Sequence, residues 1–148
     1  MECGAQSDYI IDHTFYKKTF IQNRLLGTAL SKAELYLEGK VIAVCLTLDD
    51  FEAVHATRLD TDGIVDQLRI TEGVEAAIFA YQKEKDVFKY SMRSNGNINV
   101  SKIATGMGGG GHIRAAGIQV KGAYQDTLQV LLAQMQDQLQ ENCETADR

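Results

Sequence analysis

The chemistry-bearing part of this chain is the glycine-rich stretch GMGGGGHIRAAGIQV. It places a histidine directly after four consecutive glycines, as Gly108, Gly109, Gly110, Gly111 and His112. Glycine loses more backbone entropy on folding than any other residue, so four in succession need a compensating role. Backbone amides without Cβ bulk can form a concavity for phosphate, and an imidazole can donate a hydrogen bond to phosphate or stack on a base. The stretch predicts a nucleotide-binding loop, with a flexible solvated loop as the alternative.

Two common nucleotide-binding motifs are excluded by the surroundings of these glycines. The spelling from Gly106 to Gly111 satisfies G-x-G-x-x-G, but the dinucleotide fold needs a buried strand before that pattern and a long helix after it. Gly117 interrupts the following segment too early for such a helix. A Walker loop needs Lys and then Ser or Thr after its last glycine, where this chain has His112 and Ile113. If this loop binds a phosphate, it does so in a fold that is neither the dinucleotide-binding fold nor a Walker-loop fold.

A second candidate anion ligand, Arg93, lies in a predicted strand. In the stretch VFKYSMRS two sets of residues alternate, Val87, Lys89, Ser91 and Arg93 against Phe88, Tyr90 and Met92. Alternation with a period of two is typical of a strand with one apolar face. A guanidinium on the other face can hold a phosphate through two parallel hydrogen bonds.

The hydrophobic pattern predicts an α/β fold, with a mixed β-sheet flanked by helices and preceded by a helical linker segment. Strands are predicted at residues 40–48, 73–82, 87–94 and 115–120. Helices are predicted at residues 50–57, capped by Asp49 or Asp50, and at 60–71, 100–106 and 123–141. Residues 9–37 are predicted to form two helices that have little around them to pack on, the second continuing through Leu35, Tyr36 and Leu37.

Charge and composition exclude several classes of protein. The 148 residues carry a net charge of −5, so no overall basic field attracts long nucleic acid and any nucleotide needs a local site. The cysteines, Cys3, Cys45 and Cys143, are too far apart for a zinc motif or a disulfide framework. No apolar run approaches the roughly 20 residues of a membrane span, and no signal-peptide pattern is present. We expect a cytoplasmic chain without a membrane partner.

Three stretches together resemble the C-terminal, DHH-associated domain of the DHH phosphoesterases. The glycine-rich stretch resembles the GGGH element of that family, with the Ala-Ala-Gly that follows it at Ala115, Ala116 and Gly117. YSMRSNGNINVSKIA resembles the accompanying Ser-x-Arg-Ser element and its helix, and EGVEAAIFAYQ resembles the preceding strand. The resemblance covers residues 40–141 and is closest to the oligoribonucleases and 3′-phosphoadenosine-5′-phosphate phosphatases. RecJ exonucleases and cyclic-dinucleotide phosphodiesterases share the domain.

The resemblance implies that this chain binds substrate. In the family, an N-terminal DHH domain holds two manganese ions that generate the attacking hydroxide, and the C-terminal domain closes over the cleft. The arginine and serine would contact substrate phosphate or sugar, the glycine amides would surround it, and the histidine would reach the scissile phosphate or the terminal base. The implied substrate is short RNA or a small adenine nucleotide. The implied site residues are Arg93, Ser94, Gly108, Gly109, Gly110, Gly111 and His112.

The catalytic half of the family is not evident in the sequence. Asp12-His13-Thr14 comes within one residue of the DHH triplet but has no companion ligands, and His55 is predicted to be a structural residue within a helix. We therefore expect residues 1–39 to be a helical linker at the end of a missing DHH domain, and residues 40–148 to be the substrate-binding domain. The chain alone would be inactive, and manganese would be bound by the missing domain.

Several alternatives stay open at this point. The chain could be a stand-alone nucleotide-binding regulatory module, or the corresponding half of a cyclic-dinucleotide phosphodiesterase. It could also be a structural domain whose glycine loop binds nothing. A homodimer is neither predicted nor excluded by the sequence.

Overall fold

The protein, as a computed structural model, is described for residues 17–147 and has one mixed β-sheet between two layers of helices. The strands are β1 (Glu34–Tyr36), β2 (Val41–Leu46), β3 (Ala76–Glu84), β4 (Val87–Ser94), β5 (Gly110–His112) and β6 (Ala115–Lys121). The helices are α1 (Phe20–Lys32), α2 (Leu48–Ala53), α3 (Ile64–Arg69), α4 (Val100–Gly106) and α5 (Tyr124–Ala146), with a 3₁₀ turn at Arg58–Thr61. The predicted fold class is confirmed.

The strands lie in the order β1-β2-β3-β4-β6-β5. Among the strands of residues 17–147, only β2 and β3 run parallel, and the connection between them carries the helices α2 and α3. Every other neighbouring pair is antiparallel, and β5 forms the outer edge beside β6. Part of the glycine-rich stretch therefore forms an edge strand of the sheet and is not a free loop.

Alternation along the strands divides the apolar residues between two cores. On the first face, Ala76, Ile78 and Ala80 of β3 pack with helices α4 and α5. On the second face, Ala77, Phe79 and Tyr81 pack with α1, α2 and α3. No buried residue of this second core comes from β4, β5 or β6. Among residues 17–147, no helix layer therefore covers the second face of those three strands, although α3 reaches Arg93 at the edge of that face.

The N-terminal segment differs from its prediction. One helix, α1, begins after the capping residue Thr19, and residues 1–16 lie outside the described part of the chain. The side chains of Leu25 and Ala29 are fully buried on the second face, so the expectation that this helix has little to pack on was wrong. Leu35 and its neighbours form strand β1, because the positive φ angles at residues 37–39 turn the chain back along β2.

The segment after β2 also differs in detail. Thr47, rather than Asp49 or Asp50, caps helix α2: its hydroxyl accepts from the Asp50 amide while the Asp50 carboxylate accepts from the Thr47 amide. His55 lies in the turn after this helix with a φ of +57°, so its placement within a helix was wrong. Among residues 17–147, no helix is long and apolar enough to cross a membrane.

Candidate nucleotide-binding face

Strand register brings Arg93 and His112 into one row across the sheet. Arg93 of β4 is paired with Ala115 of β6, which is paired in turn with His112 of β5. Because paired residues point to the same side of a sheet, all three face the uncovered second side. Arg93 points away from the first core, since its guanidinium meets Asp66 of helix α3. The structure therefore brings together on one face the two side-chain candidates, Arg93 and His112, that lie 19 residues apart in the sequence.

Two further rows complete this surface, which we call the open face. The second row is Ser91, Gly117 and Gly110, and the third is Lys89 and Gln119. Arg93 and His112 stand two strand spacings apart, about 10 Å between Cα atoms, with only the methyl group of Ala115 between them. Side chains therefore rise at both ends of the first row, and a ligand between them can approach the backbone.

The Arg93 guanidinium is held at the rim of the open face by two contacts. Its Nε lies 3.4 Å from Asp66 Oδ1, and one terminal nitrogen donates to the Met92 carbonyl oxygen at 3.1 Å. Side-chain exposures of 30% for Arg93 and 52% for Asp66 make this an ion pair of modest strength. Arg69 shares the same carboxylate at 3.8 Å. A phosphate dianion can therefore compete with Asp66 for Arg93.

The first two glycines of the loop end helix α4. The Gly108 amide donates to the Thr105 carbonyl at 3.3 Å, and the Gly109 amide donates to the Ala104 carbonyl at 2.8 Å. With Gly108 at a φ of +82°, these are the two hydrogen bonds of a Schellman motif. The Gly109 amide, expected to surround the substrate, is thus engaged within the fold.

Close packing explains two of the four glycines. A Cβ at Gly109 would overlap the Gly117 carbonyl and lie 2.6 Å from Ile118 Cγ2, and a Cβ at Gly111 would lie 2.5 Å from Ala116 Cα. Gly110 differs, because open space surrounds its Cβ position and its φ is not positive. The fold gives no reason for a glycine there, whereas the open face does, since any side chain at 110 would project beside His112.

Ser94 is not brought to the open face. It follows Arg93 by one position and therefore points to the opposite side of the sheet, where it is 2% exposed. Its hydroxyl oxygen accepts hydrogen bonds from the amides of Gly96, at 3.1 Å, and Ile98, at 3.3 Å. The hydroxyl expected to contact substrate instead shapes the loop that leads into helix α4.

Replacing Ser94 is expected to reduce stability rather than remove a ligand contact. Ser94→Ala leaves the amides of Gly96 and Ile98 without their acceptor, which should lower the free energy of unfolding by about 2 kcal/mol. Urea unfolding measures the change. The matched control is Ser91→Ala, which removes the same oxygen from the open face and should stay within about 0.5 kcal/mol of the wild type. Equal losses in the two variants would contradict this account of Ser94.

The cysteine in the sheet is not a candidate nucleophile. Cys45 lies on the first face, away from the row of Arg93 and His112. Burial raises the pKa of its thiol to about 12, and Asp50 contributes in the same direction while Lys32 opposes it. The thiol is therefore protonated at neutral pH, and thiolate chemistry is not available to it.

Sequence reasoning missed two residues that position the site. Asp66, which pairs with Arg93, comes from a helix 27 positions earlier, and no local pattern links the two. The Asn95 side-chain amide donates to the carbonyls of Arg69 and Val74, at 3.1 and 2.7 Å, and so links the end of β4 to the end of α3 and the loop before β3. An asparagine after a strand signals a turn, but its partners are set by the tertiary fold.

The described residues do not fit a metal centre. Residues 17–147 contain no group of three or more His, Cys, Asp or Glu side chains placed to hold an ion. His55 is in a turn on the α2 side of the sheet, and the pair Asp12-His13 lies outside the described residues. No metal-assisted step can therefore be derived from the groups that the open face presents among residues 17–147.

Comparison with known proteins assigns this arrangement to a family. The DHHA1 domain model matches residues 38–141. The bifunctional oligoribonuclease and PAP phosphatase NrnA of Thermus thermophilus is 33% identical over 73% of the chain, which corresponds to 33% of that protein. The cyclic-di-AMP phosphodiesterase PdeA of Listeria monocytogenes is 32% identical over 78% of the chain and 17% of its own length. The chain thus spans a third or less of these relatives.

Solved structures share the fold. An exopolyphosphatase-related protein from Bacteroides fragilis superposes with a TM-score of 0.80 at 22% identity, over 88% of this chain and 38% of that one. The pGpG-specific phosphodiesterase PggH from Vibrio cholerae has a TM-score of 0.55 at 16% identity, over 80% and 40%. The family model covers most of the chain, including all three strands of the row that joins Arg93, Ala115 and His112. The chain therefore belongs to the DHHA1 family, the DHH-associated domain carried by phosphoesterases such as NrnA and PdeA.

Proposed function

We propose that this chain is the substrate-binding part of a manganese-dependent DHH phosphoesterase that hydrolyses short oligoribonucleotides or 3′-phosphoadenosine-5′-phosphate. The observation that carries the proposal is the row formed by Arg93, Ala115 and His112 on an uncovered face of the sheet. Arg93 and His112, whose Cα atoms lie about 10 Å apart, can contact the two sides of one phosphate ester through a guanidinium and an imidazole. The names of the relatives NrnA and PdeA are consistent with a nucleotide as the ligand.

In this proposal three groups on the open face have separate tasks. Arg93 exchanges Asp66 for a phosphate oxygen and forms a bidentate contact. His112 donates a hydrogen bond to the phosphate or stacks on the terminal base. Gly110 keeps the surface low enough for the nucleotide to approach the sheet. The manganese ions belong to a DHH domain that residues 17–147 do not contain, and that domain supplies the hydroxide, in a cytoplasmic enzyme.

Titration with adenosine monophosphate tests nucleotide binding. The amide resonances of Gly110 and His112 should shift on addition of the nucleotide, because they lie at the proposed contact. The amide of Gly109 is a useful comparison, since it is already bonded to Ala104 and should shift less. Unmoved resonances throughout residues 106–112 would rule out the proposal and favour a structural domain.

A hydrolysis assay tests where the catalytic site lies. The 148-residue chain with added manganese should not hydrolyse an adenylyl dinucleotide, because its described residues offer no metal-binding cluster. Mixing it with a DHH domain of a relative should restore turnover if the two parts assemble. Turnover by the purified chain alone would contradict the proposal. Binding without any gain of turnover would favour the second candidate, a regulatory module that binds nucleotide through the same open face.

A further inference from the structure

A trough lies along the open face on the β3 side of strand β4. It has a volume of about 370 Å³ and runs along β4 from Arg93 past Ser91 to Lys89. Phe79 and Tyr81 of β3 form its floor, and the segment from Arg58 to Asp66 forms its wall. Neither Arg58 nor Lys89 was singled out by the sequence or used in the proposed function.

The charges of the trough are opposite to those of the chain as a whole. Four basic residues and two acidic residues line it, so it is net positive within a chain of net charge −5. One acidic residue, Asp66, is already paired with Arg93. No ion pair joins Arg58, Lys83 or Lys89 to a carboxylate among residues 17–147. Three cations near one cavity without carboxylate partners favour a polyanionic ligand.

The basic groups are held at two separate poles. Lys89 precedes Arg93 by four positions on one strand, which separates their Cα atoms by about 13 Å. Lys83 reaches across β4, and its ammonium donates to Gln119 Oε1 at 2.9 Å. Because Gln119 is the cross-strand partner of Lys89, this contact fixes Lys83 at the Lys89 pole. Arg58 lines a neighbouring cavity together with Lys83 and therefore lies on the same side. Asp66 and the Met92 carbonyl retain Arg93 at the other pole.

We propose that Arg58, Lys83 and Lys89 form a second anion subsite, which binds a further phosphate of the same single-stranded oligonucleotide. The inference rests on the proposed function, since Arg93 is taken to hold the first phosphate. The 3′ and 5′ phosphates of one nucleoside are separated by a single ribose and do not reach both poles. An oligonucleotide of three or more residues does. Leu59, 81% exposed at the wall of the trough, offers an apolar contact for a base between the two phosphates.

The test compares a long and a short ligand on the full chain. The double variant Lys83→Gln/Lys89→Gln is titrated with a labelled adenylate pentanucleotide and with adenosine monophosphate. We expect its affinity for the pentanucleotide to fall about tenfold, with no change for the monophosphate. The slope of log affinity against log salt should become shallower by about 0.7, because the contact with one phosphate of the single strand is lost. Lys102→Gln, an exposed lysine on α4 outside the trough, is the matched control.

The outcomes separate this subsite from the proposed function. If the double variant binds the pentanucleotide as tightly as the wild type does, the second subsite is overturned, whatever happens at Arg93. If Arg93→Gln binds both ligands with wild-type affinity, the proposed function is overturned instead. A loss for the monophosphate as large as that for the pentanucleotide would also overturn the subsite, because the lysines would then serve the first phosphate. Circular dichroism of each variant verifies that the fold is retained.

Discussion

Gly109→Ala is expected to lower the free energy of unfolding by about 3 kcal/mol. The new methyl group would overlap the Gly117 carbonyl oxygen and lie 2.6 Å from Ile118 Cγ2. Both are parts of strand β6, so the overlap cannot be relieved by rotating a flexible side chain. The hairpin of β5 and β6 would have to separate from the end of helix α4. Thermal unfolding should show a midpoint lower by roughly 10 °C.

The matched control is Gly110→Ala, one residue further along the same loop. Open space surrounds its Cβ position, and its backbone is not in the left-handed region. Its stability should therefore stay unchanged or rise by up to about 1 kcal/mol, because alanine restricts the unfolded chain. Its affinity for adenosine monophosphate should nevertheless fall, since the methyl group projects onto the open face. Equal destabilisation by the two substitutions would contradict the distinction between a structural and a functional glycine.

Segments with a clear apolar pattern allowed the frame of the site to be predicted from the sequence. Strand β4 was predicted at residues 87–94 and helix α4 at residues 100–106, and both are confirmed at those bounds. Each has apolar residues at a single clear period, so local pattern and tertiary packing agree. The alternation along β4 also explains why Ser94 does not lie on the open face. Adjacent strand residues point to opposite faces, so Arg93 and Ser94 cannot both reach one surface.

The short edge strands could not be predicted in the same way. Strand β5 consists of Gly110, Gly111 and His112, residue types that do not favour strands by themselves. It forms because the Schellman turn directs the chain back along β6, where glycines permit close approach. The partnership of Arg93 with Asp66 is likewise set by packing of α3 against the sheet. Local pattern thus identifies the elements, and long-range pairing determines which side chains meet on the open face.

Arg93→Gln is expected to weaken binding of adenosine monophosphate by about 10- to 100-fold, the contribution of hydrogen bonds to a charged group. The free energy of unfolding of Arg93→Gln should change little, because the ion pair with Asp66 is partly exposed. The affinity of Arg93→Lys should lie between those of Arg93→Gln and the wild type, since an ammonium keeps the charge but not the bidentate geometry. Isothermal calorimetry measures each affinity. Arg24→Gln, which removes an exposed arginine from helix α1, is the control.

Substitution of Asp66, the partner of Arg93, is expected to change the affinity for adenosine monophosphate in the opposite direction. Asp66→Asn removes a negative charge whose oxygen lies 3.4 Å from Arg93 Nε, and so removes the group that competes with the phosphate. Affinity should rise about two- to fivefold at low salt and return toward the wild-type value as salt screens the exposed pair. Weaker binding by Asp66→Asn would mean that the carboxylate orients Arg93 rather than competes for it. If both Arg93→Gln and Asp66→Asn bind with wild-type affinity, neither residue of this ion pair takes part in nucleotide binding.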